Sequence, residues 1–364
     1  MLQAIAYRLY PSESQQRGLE TTLETCRRWY NACLGERKCA YEQAGRTVGK
    51  YEQLRQVKTY KATNPSAAAV HSHVLQTVVS DLDRAFQAFF RRVKAGEEAG
   101  YPRFKGKNRF KSFGFKEYGN GFKVDGRRLR VHGIGRLAVR WHRQLPGEVK
   151  TLRLTRKAGK WYAVFTCEVA QEPMAATGID VGIDVGLTSL ITTSDGEHVE
   201  HPAWYRKAER RVRVASRRVA RRKKGGANRR KAVVILQREH ERIANQRRDF
   251  LYKLSHQLIT RYDHIAVEDL RIRNMIQNRH LSKSILDAGW ACSPHISQAK
   301  LQTLAVRSCS STLPIHREPA PLVDTSRCSS NSPNGSFGAR VATSPIAMNT
   351  QQRIFSSSDR AVGR

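Results

Sequence analysis

The hydrophobic pattern at the start of the chain predicts one strand followed by two long helices. Residues 2–9 alternate between apolar and polar side chains, as a strand with one buried face does. Ser12 and Gln15 form a capping-box pattern that predicts the start of the first helix. The second helix is predicted to begin at Asn64 and to end at Gly96. Apolar positions keep helical spacing in both helices, and we interpret the stripe of the second as core, with a partner-binding face as the alternative. The stripes comprise Leu19, Leu23, Cys26, Tyr30 and Leu34, then Val70, Val74, Val78, Leu82, Phe86, Phe89 and Val93.

A series of short strands is predicted over residues 121–169. The dipeptide Ala158-Gly159 lies between two alternating segments and predicts a hairpin turn. Turns recur often enough to favour a small antiparallel barrel. Strand 2–9 could join this barrel, which would leave the two helices as an insertion between its first and second strands. Residues 171–177 are interpreted as the linker that closes this part of the chain.

Beyond the linker, the pattern predicts strands that alternate with helices. A strongly basic helical segment follows Pro202, and Gly225-Gly226 should break it into a helical hairpin. This order of elements predicts an RNase H-like α/β layer, so we expect an α+β multidomain protein. The predicted strands are 178–185, 189–193, a short one near Val199, and 264–270.

Composition makes nucleic acid the expected partner. The 364-residue chain carries 65 Lys and Arg against 31 Asp and Glu, a formal net charge of +34. Such an excess repels itself in a compact state unless a polyanion neutralises it, with an anionic membrane surface as the alternative partner. No apolar run approaches the length of a membrane span, and the N-terminal pattern is not that of a signal peptide. The seven cysteines include no CxxC pair, which favours reduced thiols over disulfides or a zinc site. We therefore expect a cytoplasmic, nucleoid-associated protein.

Two predicted strands each deliver a carboxylate. Asp184 lies in GIDVGIDVGLT, and Glu268 lies in HIAVEDL about eighty residues later. Clustered Asp and Glu side chains are the hard oxygen ligands that Mg²⁺ prefers, and divalent ions activate water and neutralise the departing oxygen of a phosphodiester. Asp180 is interpreted as a strand-edge acid, and Asp269 should point to the opposite face from Glu268. The sequence thus predicts metal-dependent phosphodiester chemistry at Asp184 and Glu268, with purely structural strands as the alternative.

Two basic segments are candidate nucleic-acid contacts. In residues 101–116 aromatic rings alternate with cations, so that bases could stack on the rings while phosphates pair with the cations. The alternative there is an ordinary strand with a solvated basic face. The basic run at 206–231 has a solvated charged helix as its alternative, although its arginine density favours phosphate contact. The candidates are Arg103, Lys105, Lys107, Arg109 and Lys111 in the first segment, and Arg210, Arg211, Arg217, Arg218, Arg221, Arg222, Lys223 and Lys224 in the second.

Five blocks in this order resemble the OrfB/TnpB proteins encoded by insertion sequences. They are YRLYPSESQQ with CRRWYNACL, YPRFKGKNRFKSF, GIDVGLTSLITTSDG, the basic hairpin and IAVEDLRIRNM, and they extend over residues 1–290. The resemblance implies a transposon-carried, RNA-guided DNA endonuclease, often described as a transposase, similar to type V CRISPR effectors. Its partners would be guide RNA and double-stranded DNA, with the guide supplying sequence by base pairing. Asp184 and Glu268 fall on the first two catalytic acids of the family, with Mg²⁺ as the implied cofactor.

The resemblance also implies a domain organisation. Residues 1–10 and 100–170 would form a β-barrel wedge domain, with residues 11–99 as an inserted helical recognition lobe. Residues 177–290 would form a RuvC-like nuclease domain that contains the basic hairpin. The remaining residues, 291–364, are a Ser-rich, low-complexity tail that we expect to be disordered.

The tail is where the chain departs from the family pattern. Zinc is expected for the family, but the two CxxC pairs of its zinc ribbon are absent, as is the motif that carries its third acid. Neither Asp324 nor Asp359 has a convincing context for a ligand. Our hypothesis is a frameshift near residue 291, with a genuine low-complexity tail as the alternative, and the other two reading frames beyond codon 290 test it. We expect weak or absent cleavage with nucleic-acid binding partly retained; the alternatives are an inactive guide-RNA- and DNA-binding relative and a basic RNA-binding protein.

Overall fold

The computed structural model describes residues 1–170, 177–268, 270 and 272–289, all within one compact unit. The predicted tail, Asp269 and residues 171–176 of the predicted linker lie outside these ranges. The described strands are β1 (Leu2–Tyr10), β2 (Ser112–Phe115), β3 (Phe122–Asp125), β4 (Arg128–Val131), β5 (Gly135–Arg140), β6 (Glu148–Lys157), β7 (Lys160–Glu168), β8 (Asp180–Asp184), β9 (Ser189–Thr193), β10 (His198–Glu200) and β11 (His264–Val267). The described helices are α1 (Glu13–Ala44), α2 (Lys50–Thr63), α3 (Pro65–Ala68), α4 (Ser72–Lys94), α5 (Trp204–Ala220), α6 (Ala227–Arg261), α7 (Ile272–Met275) and α8 (Ser282–Ala288).

The larger sheet has seven antiparallel strands in the order β2-β6-β7-β1-β5-β4-β3. Its first strand in sequence lies in the middle, since β1 pairs with β7 on one side and with β5 on the other. Helices α1 to α4 therefore lie in the sequence between the central strand β1 and the six other strands of the sheet. The strand predicted at residues 2–9 is confirmed, and it belongs to this sheet.

The sheet is curled, so that its two edge strands approach each other. The ring centroids of Phe115 in β2 and Phe122 in β3 are 5.7 Å apart. The hairpin between β6 and β7 turns at Ala158 and Gly159, whose φ angles of 47° and 77° are the positive values that a tight two-residue turn requires. The hairpin predicted at this dipeptide is confirmed.

Helix α1 begins and packs as its sequence pattern predicts. The side chain of Ser12 accepts a hydrogen bond from the backbone N–H of Gln15 at 3.3 Å, and the Gln15 side chain accepts one from the backbone of Ser12 at 3.0 Å. This is the capping box. The five predicted apolar positions are all buried, and they join the core that fills the curled sheet. The first predicted helix is thus confirmed in its start and in its buried face.

The second predicted helix is wrong in its start. Residues Pro65–Ala68 form only the short helix α3, and α4 begins at Ser72. The chain breaks at His71, which has extended backbone dihedrals and whose Nδ1 accepts a hydrogen bond from the backbone N–H of His73 at 3.2 Å. The side chain of His71 therefore caps α4, a role that the apolar stripe could not reveal.

Helix α2 was not predicted at all, because it lacks an apolar stripe. Its buried residues are Gln53 and Val57. Gln53 is fully buried and joins α2 to α1, since its Oε1 accepts a hydrogen bond from Arg37 and its Nε2 donates to the Cys33 carbonyl at 2.8 Å. This polar network joins α2 to α1 alongside apolar contacts, since Val57 lies in the core and the Tyr60 ring stacks on that of Trp29 at 4.3 Å.

The smaller sheet has four strands in the order β10-β9-β8-β11. β11 runs parallel to β8, whereas the β8–β9 and β9–β10 pairs are antiparallel. The strands predicted at 189–193 and near Val199 are confirmed. The strand predicted over 264–270 ends earlier, at Val267. Helices α5 and α6 pack on one face of this sheet through a second core that contains Val181, Ile183 and Ile265.

The predicted helical hairpin is confirmed, with its break at the two glycines. Helix α5 ends at Ala220 and α6 begins at Ala227. The guanidinium of Arg229 in α6 donates to the carbonyl oxygens of Val219 and Arg222, at 2.7 and 3.3 Å, and so satisfies carbonyls at the end of α5. None of the helices in the described ranges is long and apolar enough to cross a membrane.

Helix α6 also contacts the turn of the β6–β7 hairpin. Glu241 is 6% exposed, and its carboxylate lies 3.9 Å from the Lys157 ammonium and 3.7 Å from the Lys160 ammonium. The hydroxyl of Tyr162 donates to the same carboxylate at 3.4 Å. A buried acid is tolerated here because two cations and a hydroxyl surround it.

Candidate functional site

Asp184 and Glu268 lie at the carboxyl ends of two adjacent parallel strands. Asp184 is the last residue of β8, and Glu268 directly follows β11. The register pairs Val267 with Ile183, so that Glu268 comes next at the level of Asp184. Neighbouring strands are about 4.8 Å apart, and residues at the same level of a parallel pair share a face. The structure therefore brings the two predicted acids together.

The acids belong to an open face of the smaller sheet. Along β8 and β11, buried Val181, Ile183 and Ile265 face α5 and α6, and the alternate residues face the other way. A Cβ added to Gly182 would find no neighbour nearer than the Cβ of Ser194, at 3.8 Å. This surface, the acid face, is formed by Asp180, Gly182 and Asp184 of β8 together with His264, Ala266 and Glu268.

The donor chemistry of the acid face suits a hard divalent cation. Asp184 and Glu268 are exposed carboxylates at one level of the sheet, and Mg²⁺ is usually held by one or two carboxylates together with water and substrate phosphate. Among the described residues, no group of three or more His, Cys, Asp and Glu side chains is arranged to hold a metal ion. The two acids fit Mg²⁺ as a two-carboxylate site.

A second pair of side chains occupies the other end of the acid face. Nδ1 of His264 and Oδ1 of Asp180 are 2.7 Å apart, and the two residues are register partners. Both side chains are exposed, His264 at 54% and Asp180 at 71%. The interpretation of Asp180 as a strand-edge acid agrees with its place as the first residue of β8. Its partner was missed, because the pairing depends on the register of strands 84 residues apart.

Asp263 joins the segments that precede β8 and β11. Its carboxylate accepts hydrogen bonds from the backbone N–H groups of Thr177 and Gly178, at 2.9 and 2.7 Å. These backbone donors hold the pKa of Asp263 below its usual value, and the Thr177 hydrogen bond makes the largest contribution. The chain before β8 is thereby tied to the chain before β11, which helps to set the register that places Asp184 beside Glu268.

The first basic segment is a loop that is anchored to α1. Residues 101–111 form no strand, so the strand alternative is wrong for them; β2 begins only at Ser112. The backbone of Lys105 is held at both ends, since its N–H donates to Asn31 at 2.8 Å and its carbonyl accepts from Arg27 at 3.0 Å. Its ammonium lies 5.5 Å from the Tyr30 ring centroid. The exposed candidates in this segment are Arg103, Lys107, Arg109 and Lys111.

Glu24 completes this anchor. Its carboxylate accepts from the Arg27 guanidinium at 2.6 and 2.9 Å. Hydrogen bonding from Arg27 lowers the pKa of Glu24 to about 2. The bidentate pair fixes the guanidinium that reaches the Lys105 carbonyl. This function of Glu24 is not apparent from the sequence, because an acid on a helix surface gives no signal that its partner Arg27 contacts a residue 78 positions away.

The second basic segment presents its cations to solvent. All eight candidates in α5 and the following turn are exposed. Arg211 forms an ion pair with Glu239 at 3.4 Å. Four consecutive cations lie exposed in the turn after α5, and we call them the turn cluster: Arg221, Arg222, Lys223 and Lys224.

Comparison with known proteins identifies the family. Residues 164–279 match the OrfB family of IS605 elements, described as probable transposase, and residues 1–46 match its helix-turn-helix domain. A Streptomyces pristinaespiralis protein, provisionally named RNA-guided DNA endonuclease, is 35% identical over 79% of this chain and 71% of its own length. The chain belongs to the OrfB/TnpB family. A second relative, from Escherichia coli strain K12 and provisionally named RNA-guided DNA endonuclease InsQ, is 28% identical over 79% of this chain and 75% of its own.

The fold also has a counterpart among solved structures. A chain in the cryo-EM structure of the Cas12f1–sgRNA–target DNA complex superposes with a TM-score of 0.52 and 10% identity, over 85% of this chain and 89% of that chain. At this identity the likeness concerns the fold alone. The region matched as a helix-turn-helix domain is here β1 followed by the single long helix α1. The family membership inferred from the five sequence blocks is confirmed.

Proposed function

We propose that this OrfB/TnpB chain is a transposon-encoded protein that binds guide RNA and double-stranded DNA, and that its acid face is the site of metal-dependent DNA cleavage. The observation that carries the proposal is the register of β8 and β11, which sets Asp184 beside Glu268 at one end of an exposed sheet face. Two relatives provisionally named RNA-guided DNA endonuclease support it. The charge of +34 supports a polyanionic partner.

Asp184 and Glu268 would hold the divalent ion. When bound, such an ion supplies an activated water and neutralises the charge of the departing oxygen. The two carboxylates would fix the ion at the ends of β8 and β11, on strands whose other face is buried against α5 and α6. Rigid strands are better platforms than loops for such ligands. The small residues Gly182 and Ala266 would leave room on the acid face for the backbone of a nucleic-acid strand.

Cleavage should be weaker than that of the named relatives. Two carboxylates leave most of the coordination sphere of an ion to water and substrate, so its position is less firmly fixed. Beyond residue 290 the sequence offers Asp324 and Asp359 as its aspartates, and neither stands in a motif that resembles a catalytic segment. We therefore propose that nucleic-acid binding is the activity that the chain retains most fully.

The proposed domains follow the elements described above. The curled sheet, residues 1–10 and 100–170, would be the wedge domain, and α1 to α4, within residues 11–99, would be the recognition lobe. Residues 177–290 would be the RuvC-like nuclease domain. In this arrangement the loop 101–111 and the basic hairpin would contact the phosphates of the guide RNA and the DNA.

The test is cleavage of DNA by the full chain loaded with RNA. RNA that copurifies with the protein is sequenced to define the guide, and a duplex matched to it is incubated with Mg²⁺. Slow cleavage that Asp184→Asn abolishes, and that Asp249→Asn leaves unchanged, would support the proposal; Asp249 is an exposed acid on α6, paired with Lys253. Cleavage that survives Asp184→Asn would contradict it.

The alternative is a binding protein without nuclease activity. It is favoured by the two-carboxylate site, since a relative that only occupies RNA and DNA needs no metal ion. Retained guide-RNA and DNA binding with no cleavage at any Mg²⁺ or Mn²⁺ concentration would select it. A general RNA-binding protein would bind unrelated RNA as tightly as the copurified guide, and that interpretation leaves the adjacency of Asp184 and Glu268 without a function.

A further inference from the structure

The acid face carries an acid that a pair of metal-binding carboxylates does not use. Asp180 lies four residues before Asp184 on the same strand, so the two are roughly 13 Å apart at a rise of about 3.3 Å per residue. A DNA strand that reaches Asp184 and Glu268 along this face must pass a third carboxylate. Because DNA is a polyanion, an uncompensated carboxylate beside its path would repel it.

His264 is placed to offset this charge. Its Nδ1 lies 2.7 Å from Asp180, which fixes the ring and directs an N–H toward the carboxylate. The other ring nitrogen, Nε2, is then the one available to a ligand. The ring is 54% exposed, and the next residues of the face toward the acids are Gly182 and Ala266, which cannot cover it. The imidazole is therefore exposed at one end of the acid face, and only these two small residues separate it from Asp184 and Glu268.

We propose that His264, oriented by Asp180, binds a backbone phosphate of the DNA strand whose linkage lies at Asp184 and Glu268. The inference rests on the function proposed above, because it assumes that a DNA strand lies on the acid face. The two ends of the acid face are roughly 13 Å apart, a distance that the backbone of a DNA strand covers in a few nucleotides. The contact thus positions the strand within a few nucleotides of the bond that is cut.

The contact requires the imidazolium form of His264. A carboxylate at Nδ1 and a phosphate at Nε2 both accept hydrogen bonds, so each ring nitrogen must carry a proton. The acids next to the ring are Asp180, its register partner, and Asp263, its neighbour in the chain, whereas Asp184 and Glu268 lie at the other end of the acid face. Helices α5 and α6 pack on the opposite face of the sheet.

The competing explanation is a cross-strand pair that only stabilises the sheet. Such a pair between exposed residues makes a small contribution to the stability of the fold. In that case His264→Gln would lower the melting temperature slightly and leave DNA binding unchanged. Binding and its dependence on salt separate the two explanations, because a structural pair makes no contribution to counterion release.

The experiment measures the affinity of the full chain for fluorescein-labelled oligothymidine over a series of salt concentrations. We expect His264→Gln to lower the slope of log affinity against log salt by about 0.7, the value for one phosphate contact on a single strand. Asp180→Asn should lower it less. His264→Lys should retain the slope, because its ammonium can donate to the same phosphate. The matched control is His240→Gln, an exposed histidine on α6 that should leave the slope unchanged.

Each outcome bears on one hypothesis. If His264→Gln leaves the slope unchanged while substitutions in the turn cluster reduce it, the phosphate contact is refuted and the proposed function stands. If neither set of substitutions changes the slope, or the chain does not bind the oligonucleotide, the proposed function itself fails. Unchanged circular dichroism of His264→Gln, with restored binding in His264→Lys, excludes misfolding as the cause of weaker binding.

Discussion

The carboxylate of Asp287 accepts a hydrogen bond at 2.9 Å from the backbone N–H of Tyr205, in the first turn of α5. Helix α5 has no side-chain cap of its own, because Ala203 stands at its N-cap position. Asp287 is 3% exposed and also accepts from the Arg247 guanidinium of α6 at 2.8 Å. One residue of α8 therefore joins the start of α5 to the middle of α6, the two helices that cover the smaller sheet.

Replacing Asp287 by alanine should destabilise the smaller sheet and its helices. The substitution removes a helix cap and leaves the guanidinium of Arg247 without its carboxylate, and we expect a decrease of about 2–3 kcal/mol in the free energy of unfolding. Urea unfolding of the full chain measures it, and hydrogen exchange should increase first at the start of α5. The control, Asp249→Ala, breaks an exposed pair on α6 and should cost less than about 0.5 kcal/mol. Equal decreases in the two variants would contradict this prediction.

Glu24→Gln should remove a stabilising contribution that depends on pH. The Arg27 hydrogen bond lowers the pKa of Glu24 from 4.5 to about 2, so the charged form stabilises the fold above pH 4.5 and this contribution disappears as the pH falls to about 2. The difference in melting temperature between wild type and variant should be constant above about pH 5 and should shrink toward pH 2. Glu42→Gln, also on α1 and in an exposed pair with Lys38, is the control. A difference that grows toward acid pH would be inconsistent with the assigned hydrogen bond.

Neutralising the turn cluster should weaken duplex DNA binding uniformly across sequences. Replacing its four cations by glutamine should lower the slope of log affinity against log salt by about 0.9 for each phosphate that the protein no longer neutralises, up to roughly 3–4 in total. Fluorescence anisotropy over a salt series measures the slope. The matched control replaces four lysines that already have acidic partners, and it should change the slope much less. These are Lys38, Lys150, Lys253 and Lys283.

A divalent ion should bind to the acid face through Asp184 and Glu268 and not through Asp180. With Mn²⁺ as a paramagnetic probe, Asp184→Asn and Glu268→Gln should each weaken binding by at least the roughly 10- to 100-fold that removal of a supporting ligand partner costs. Asp180→Asn should leave Mn²⁺ binding within about twofold, because its carboxylate is engaged with His264. Electron paramagnetic resonance of free Mn²⁺ reports the affinity, and equal effects of all three substitutions would argue for nonspecific attraction.

The elements that sequence pattern predicted are those stabilised by local signals. A few adjacent residues determine the capping box of Ser12 and Gln15 and the turn at Ala158-Gly159. Helix α1 also has an apolar stripe with helical spacing. Helix α2 lacks such a stripe, since its buried side chains are Gln53 and Val57. It was missed because the buried amide of Gln53 stabilises α2 through hydrogen bonds to α1. The residue pattern of α2 alone gives no indication of those bonds.

The same distinction applies to the candidate site. Asp184 and Glu268 were found because each ends a recognisable apolar strand. Their adjacency, and the pairing of Asp180 with His264, depend on the parallel register of β8 and β11, which the separate strand sequences do not specify. Among described residues, Asp263 contributes to that register through backbone groups of Thr177 and Gly178. Such a contact between distant segments is visible only in the folded chain.

The central position of β1 sets an order of events during synthesis on the ribosome. Its neighbours β5 and β7 begin at Gly135 and Lys160, so about 125 residues follow Tyr10 before either partner strand exists. At about 5–20 residues per second, β1 waits roughly 6–25 s with Ile5, Tyr7 and Leu9 lacking their strand partners. Helices α1 to α4 emerge within this interval and can form from local contacts. Nascent chains should therefore depend on those helices, or on a chaperone, to shield β1 until the hairpin of β6 and β7 has been made.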